Sequence, residues 1–140
     1  CPTGYSPHND LCYQVVQTLI PYSVAKTQCA EKGGKLAVVN TIGIRELLKN
    51  VAEYQGIRDF IWVGMDDQEE EGKWIHADSS LVTTDEVATL WLAGEPNGGK
   101  TENCGAMLGL KWDYQLGDSI CSNNQAFFCQ FLLESFNQTI

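Results

Sequence analysis

The sequence predicts a single α+β domain, residues 1–140, with two helices flanking small antiparallel sheets and a long loop held by disulfides. Three observations support this fold class. The first half holds two segments whose apolar residues recur at helical spacing. Short apolar runs separated by turn residues follow in the second half. Six cysteines without a C-x-x-C pair indicate a disulfide framework rather than a zinc site.

The first half of the chain is expected to contain a hairpin, two strands and two helices. Ser23 and Thr41 are candidate N-caps for the helices, and glycines follow the C-terminal end of each. The second helix is amphipathic because its apolar residues recur on one face. In chain order, the expected elements are a hairpin over 1–12, a strand over 11–20, a helix over 23–32, a strand over 36–39 and a helix over 41–54.

The second half is expected to consist mainly of strands and loops. The run from Phe60 to Met65 is the most apolar of the chain and predicts the central strand. Residues 79–93 read as a loop. Further strands are expected from residue 72 and over 104–108, 110–112 and 126–132. Tryptophans are interpreted mostly as core residues; they are Trp62, Trp74, Trp91 and Trp112.

The charge and cysteine content restrict the class of partner and the compartment. A formal net charge of −9 argues against nucleic acid, whose phosphates would repel the chain. No apolar run approaches the roughly 20 residues that span a bilayer, so no membrane insertion is expected. The chain begins at Cys1 and is expected to be a mature or trimmed form. The disulfide framework and a glycosylation motif at Asn137 indicate a secreted or extracellular domain, including the ectodomain of a larger protein.

The stretch from Glu95 to Cys129 combines disulfide cysteines with oxygen-bearing side chains. Three of the six cysteines lie in it. Calcium takes six to eight oxygen ligands, so a loop fixed by disulfides and rich in carboxylates and amides suits it. The candidate oxygen donors are Glu95, Asn97, Glu102, Asn103, Asp113 and Asp118.

Several short motifs in the observed order resemble the C-type lectin-like domain. Two helices are followed by W-V-G-M at Trp62–Met65 and by E-P-N at Glu95–Asn97, and then by four spaced residues: Cys104, Trp112, Cys121 and Cys129. The similarity extends over about residues 1–131. It implies the C-type lectin-like fold and three disulfides, which spacing alone could not choose: Cys1–Cys12, Cys29–Cys129 and Cys104–Cys121.

The resemblance also implies a principal calcium site that contacts sugar. By residue-wise match, its ligands are Glu95, Asn97, Glu102 and Asp118, and a cis bond is expected before Pro96. The chain departs from the family's compact W-N-D pattern after Trp112. Either Asp113 takes the role of the family's asparagine, with a bulge after it, or Gly117 stands there and one ligand is lost.

An auxiliary calcium site is a second implication of the resemblance. The matching residues are Asp67, Glu71, Glu102 and Asn103, whereas Gly98 lacks the acidic side chain often found after E-P-N. The alternative interpretation is that residues 66–71 form a solvated acidic turn.

The order acid-proline-amide at Glu95–Asn97 resembles the mannose-type members of the family. It implies calcium-dependent binding of sugars with equatorial 3- and 4-hydroxyls, such as mannose, N-acetylglucosamine, glucose and fucose. Expected partners are glycans, including those of microbial surfaces, in an innate immune role. The alternative is a calcium-independent member that binds a protein or another surface, which the irregular segment from Trp112 to Cys121 favours.

Enzymatic activity is not expected. Glu95 and Glu102 could be drawn as a glycosidase pair, but carboxylates that face one cation stay ionised and cannot donate a proton. No serine-nucleophile motif is present, and His8 and His76 have no evident partners in the sequence. The sequence contains no coiled-coil segment from which an oligomeric state could be predicted.

Overall fold

A computed structural model describes residues 1–136 of the chain. The predicted glycosylation acceptor Asn137 lies outside the described residues. No helix within the described part is long and apolar enough to cross a membrane.

The described residues form three α-helices: α1 (Tyr22–Glu31), α2 (Ile42–Tyr54) and α3 (Thr84–Leu90). Helix α2 agrees with the sequence prediction within one residue. Its N-cap is Thr41, whose hydroxyl accepts a hydrogen bond from the Ile44 amide at 3.2 Å. The buried face carries Ile44, Leu48 and Ala52, at the spacing of successive helical turns.

Helix α1 begins one residue earlier than predicted, and the proposed cap is wrong. Pro21 occupies the N-cap position and makes no side-chain cap bond, while Ser23 lies inside the helix. Its buried residues are Tyr22, Ala25 and Cys29. Proline is tolerated there because the first amides of a helix have no intrahelical partner.

Helix α3 lies in the segment that was expected to be a loop. It begins with a capping box in which the Thr83 hydroxyl accepts from the Glu86 amide at 3.1 Å and Glu86 Oε2 accepts from the Thr83 amide at 3.2 Å. The T-x-x-E pattern of this motif is readable in the sequence. Only seven residues long, the helix shows too little periodicity to be recognised otherwise.

The strands form one twisted sheet with the order β1-β2-β8-β4-β6-β7, in which β3 pairs with β8 and β5 with β4. All pairings are antiparallel except that of β4 with β8. The strands are β1 (Ser6–His8), β2 (Leu11–Ile20), β3 (Lys35–Leu36), β4 (Ile61–Asp66), β5 (Ile75–His76), β6 (Cys104–Met107), β7 (Leu116–Ser119) and β8 (Gln125–Leu132).

Three strand predictions need correction. The strand expected from residue 72 begins only at Ile75, because the chain before it forms a turn in which the Lys73 amide donates to the Glu70 carbonyl at 3.0 Å. Residues 110–112 form a short 3₁₀ turn, and the strand that follows β6 is β7. Trp112 is accordingly not a core residue, since 40% of it is exposed. Residues 37–39 are buried as expected but lie beyond β3, which ends at Leu36.

Two apolar clusters fill the space on either side of the sheet. One contains Leu48 of α2 and the edge-to-face pair Trp74–Trp91, whose ring centroids are 5.2 Å apart. The other contains Tyr22 of α1 and Trp62 of β4, whose indole donates to the Ile20 carbonyl at 2.9 Å. Three disulfides reinforce this frame, and they are the pairs that the resemblance implied: Cys1–Cys12, Cys29–Cys129 and Cys104–Cys121.

Candidate functional site

The loop between α3 and β6 is anchored at both ends. At its start, the Leu92 amide donates to the Leu116 carbonyl of β7 at 2.8 Å. At its end, Cys104 is bonded to Cys121. The Glu95–Pro96 peptide is cis, as expected. These anchors fix the loop against β7.

Asp118 of β7 is the residue around which the loop folds. It is 3% exposed, and its two carboxylate oxygens accept from the amides of Asn97 (3.3 Å) and Gly98 (2.9 Å). Its own amide donates to Glu95 Oε1 at 3.2 Å. The structure therefore brings Glu95, Asn97 and Asp118 together.

Glu102 joins this group from the other side of the loop. Its side chain lies directly against the backbone of Gly98, where a Cβ would collide with it. The absence of a side chain at Gly98 thus makes room for Glu102. With Glu95, Asn97 and Asp118, it completes the set of four residues matched to the principal calcium site.

The carboxyl groups of this set repel one another. Burial raises the pKa of Glu95 to about 7, together with a hydrogen bond between the Glu95 and Asp118 carboxyl groups and the charges of Asp118 and Glu102. Burial and the Asp118 charge also raise the pKa of Glu102. Among residues 1–136, none of the ion pairs involves Glu95, Glu102 or Asp118. The cluster therefore lacks a resident positive charge to offset its own.

Asp113 does not join the cluster, contrary to the alternative in which it takes the role of the family's asparagine. Its backbone is left-handed (φ 54°), and its carboxylate pairs with Lys49 Nζ of α2 at 2.8 Å. Gly117 instead precedes Asp118 in β7, and a Cβ there would lie 2.7 Å from Glu95 Oε1. In the alternative that places Gly117 where the family has an asparagine, no side-chain oxygen is available at that position.

The residues that the resemblance matched to an auxiliary calcium site also lie close to each other. The Asp67 amide donates to the Asn103 carbonyl at 3.0 Å. Asp67 Oδ2 accepts from the Gly72 amide at 2.8 Å, whereas Asp67 Oδ1 and Asn103 Oδ1 are buried without a hydrogen-bond partner among the described residues. Burial and then the Asp67 charge raise the pKa of Glu71, and Lys100 opposes this. Two unsatisfied buried oxygens on adjacent segments of the chain suit a hard cation.

The donor chemistry of both groups fits calcium better than a transition metal. Every candidate ligand is a carboxylate or amide oxygen, and no histidine or cysteine takes part. Within residues 1–136, however, no three His, Cys, Asp or Glu side chains converge in an arrangement ready to hold a metal. The carboxylate oxygens of Asp118 already accept hydrogen bonds from backbone amides, so a bound ion would have to share these oxygens with the amides.

Three features of this region were not visible in the sequence. The backbone amides of Asn97 and Gly98 hold Asp118, a role that no side-chain motif records. Lys100 acts electrostatically on Glu71. His76, which has no evident partner in the sequence, forms a hydrogen bond between its Nε2 and Glu86 Oε1 at 2.6 Å. Since Glu86 also caps α3, this bond helps to hold the helix that leads into the loop.

Comparison with known proteins establishes the family. The family model of the lectin C-type domain matches residues 18–131 of this sequence. The chain therefore belongs to this family of generally non-enzymatic binding domains. The chain is 30% identical over 139 residues to C-type lectin lectoxin-Phi1 of Philodryas olfersii, covering 94% of this chain and 83% of that protein. It is 33% identical over 131 residues to Collectin-10 of Xenopus tropicalis, covering 92% and 45%.

The chain spans only part of several relatives. It is 27% identical over 135 residues to C-type lectin domain family 3 member A of Bos taurus, covering 95% of this chain but 65% of that protein.

Solved structures show the same fold. The mouse scavenger receptor C-type lectin carbohydrate-recognition domain is 25% identical, with a TM-score of 0.80 and coverage of 94% and 96%. The cow C-type carbohydrate-recognition domain of CD23, studied in the presence of a GlcNAc2Man3 oligosaccharide, is 25% identical, with a TM-score of 0.79 and coverage of 94% and 95%. A calcium-independent type II antifreeze protein, 23% identical with a TM-score of 0.79 and 94% coverage of each chain, shares the fold.

Proposed function

We propose that this chain is a calcium-dependent carbohydrate-binding domain of the mannose type. The observation that carries the proposal is the group of Glu95, Glu102 and Asp118, whose charges oppose one another without an ion pair among the described residues. A divalent cation would offset that repulsion. Similarity to a carbohydrate-recognition domain studied with an oligosaccharide supports sugar as the ligand.

Each residue of the proposed principal site has a distinct role. Glu95, Asn97, Glu102 and Asp118 would hold the ion. Calcium, when bound, would supply the positive charge that attracts sugar hydroxyl oxygens. Glu95 and Glu102 would accept hydrogen bonds from two neighbouring hydroxyls of a pyranose, and the Asn97 amide would donate to one of their oxygens. The acid-proline-amide order favours equatorial 3- and 4-hydroxyls.

A second calcium ion is proposed at Asp67, Glu71, Glu102 and Asn103. The unsatisfied oxygens of Asp67 and Asn103 support it. Because Glu102 belongs to both sets, occupancy of one site should favour the loop conformation that the other needs. We therefore expect calcium to bind with positive cooperativity.

A specific observation favours the rival function, calcium-independent binding of a protein or another surface. Gly117 supplies no side-chain oxygen, and the Asp118 oxygens already accept two backbone hydrogen bonds. If these bonds outweigh ion binding, the loop stays folded without calcium and does not bind sugar through it.

The biological setting follows from the same proposal. Three disulfides favour an oxidising, extracellular location. We propose glycans, including those of microbial surfaces, as partners in innate immune recognition, and a single domain over residues 1–140. Single lectin sites are weak, so several copies on one surface or in one assembly would supply avidity.

The test is calorimetric titration with CaCl2, followed by a glycan array in calcium and in chelator. We expect calcium binding and retention of mannose-type glycans that chelator abolishes. The double substitution Glu95→Gln with Asn97→Asp should shift preference toward galactose, whereas Glu134→Gln, the same change on an exposed acid outside the cluster, should not. Unchanged glycan binding in chelator would refute the calcium mechanism, and absence of any calcium heat would favour the rival function.

A further inference from the structure

A groove on the opposite side of the molecule has the chemistry of a second ligand site. It lies between β2 and the C-terminal half of α2, is also lined by Gly4–Ser6, and has a volume of about 530 Å³. The sheet order places β2 near one edge and β7, which carries Asp118, at the other. The groove is therefore separate from the calcium loop.

The floor of the groove is apolar and its rim is made of amides. Val15 and Val51 pack against the core beneath it. Gln17 donates from Nε2 to Gln55 Oε1 at 3.3 Å across the rim, and the amide residues Asn50 and Gln14 also line the groove. Tyr54 stands beside them with 89% of its surface exposed.

None of the described residues that line the groove is charged, although charged residues make up 19% of the chain. The charged residues on α2 contribute to other surfaces. Arg45 donates to the Leu90 carbonyl at 2.9 Å, and Lys49 pairs with Asp113 at 2.8 Å. An anion or cation entering the groove would thus lose hydration without gaining an opposite charge.

We propose that this groove binds a neutral oligosaccharide without calcium. A neutral sugar presents apolar C–H faces, which suit the valine floor and the Tyr54 ring, and hydroxyls that both donate and accept. Side-chain amides also do both, so Gln17, Asn50 and Gln55 can satisfy such hydroxyls. A purely apolar ligand would leave the amides unpaired, and a protein partner would call for a larger apolar centre than two valines.

Two sugar sites at opposite edges of one domain would change how the chain binds. A single copy could then contact two glycans, or two parts of a long one, and gain avidity without an oligomer. The groove would also keep some binding under conditions that empty the calcium loop.

The experiment uses the isotope-labelled chain in chelator, so that only the groove is tested. Mannotriose, chitotriose and maltotriose are titrated separately while backbone amide signals are followed, with 3′-sialyllactose as the charged comparison. We expect signals of Gln17, Asn50, Tyr54 and Gln55 to shift with at least one neutral trisaccharide and less with the charged one.

Two alanine variants test whether the sugar binds in the groove. Tyr54→Ala should weaken the neutral sugar about tenfold, because an aromatic contact of this kind is removed from an exposed position that the fold does not need. Trp112→Ala is the matched control, an exposed aromatic outside the groove, and should leave the affinity unchanged.

Three results would overturn the proposal. One is the absence of shifts in the groove at millimolar trisaccharide. Another is equal weakening by Tyr54→Ala and Trp112→Ala. The third is a shift of the same signals with protein concentration alone, which would identify a second copy of the chain as the occupant. Binding at the calcium loop is not assayed in chelator, so failure here leaves the proposed function intact.

Discussion

Replacing Glu95 by glutamine isolates the electrostatic cost of the cluster in the calcium-free protein. The side chain keeps its size, and its carbonyl can still accept from the Asp118 amide. In the wild type, burial and the Asp118 carboxyl group raise the pKa of Glu95 from 4.5 to about 7. A carboxyl whose pKa is raised on folding binds more protons in the native state, so its contribution to stability is lost as pH rises from about 4.5 to about 7.

The magnitude follows from that shift. Its full value corresponds to roughly 3 kcal/mol, and since the side chain is only partly buried, we take about a third of it, ~1 kcal/mol. Above pH 7 without calcium, Glu95→Gln should therefore be more stable than the wild type by about 1 kcal/mol, or about 3–4 °C in Tm. At pH 4.5 the two proteins should unfold together.

The assay is thermal unfolding from pH 4.5 to pH 8, in chelator and in calcium. In calcium the order should reverse, because the ion stabilises only the protein that binds it, by about 2.7 kcal/mol at a hundredfold excess over Kd. Glu134→Gln removes a similar charge from an exposed site and should show neither effect. A Glu95→Gln protein that is less stable than the wild type at pH 8 in chelator would refute the electrostatic argument.

Four further outcomes are expected. Calcium affinity should weaken about tenfold per pH unit below about pH 7, as a proton competes for Glu95, and a flat profile in calorimetry would contradict this. Gly117→Ala should displace Glu95 and lower calcium affinity about tenfold, while Gly43→Ala, where a Cβ would be 3.5 Å from its nearest neighbour, should not. Asp67→Asn should lower the calcium stoichiometry from two to one, and an unchanged stoichiometry would exclude the auxiliary site. Thr83→Ala should cost about 1 kcal/mol in urea unfolding through loss of the α3 cap, and no loss would show that the cap is dispensable.

Much of the fold could be predicted because local and long-range preferences agree. Helix α2 has a cap at Thr41 and a full apolar face, so its bounds were close to correct. Helix α3 was missed because seven residues give fewer than two turns of periodicity. The strand predicted at 110–112 was wrong because a short apolar run does not distinguish a strand from a 3₁₀ turn.

The site was predictable to the extent that its residues lie next to fixed motifs. Glu95 and Asn97 stand in E-P-N, and Glu102 stands two residues before Cys104, so the resemblance could assign them. The choice between Asp113 and Gly117 depended on the register of β7 against β6, where Asp118 is opposite Gly105. That register is set by tertiary pairing, which no local pattern in the segment determines.

Calcium-dependent sugar binding by the loop around Asp118 can be tested by titrating the isotope-labelled chain with methyl α-mannoside in saturating CaCl2 and then adding chelator. The amide signals of Asn97 and Gly98, which donate to Asp118, report on the site. We expect these signals to shift with sugar in calcium and to return to their original positions on addition of chelator. Signals that stay unmoved by sugar in calcium, or that move equally in chelator, would contradict it.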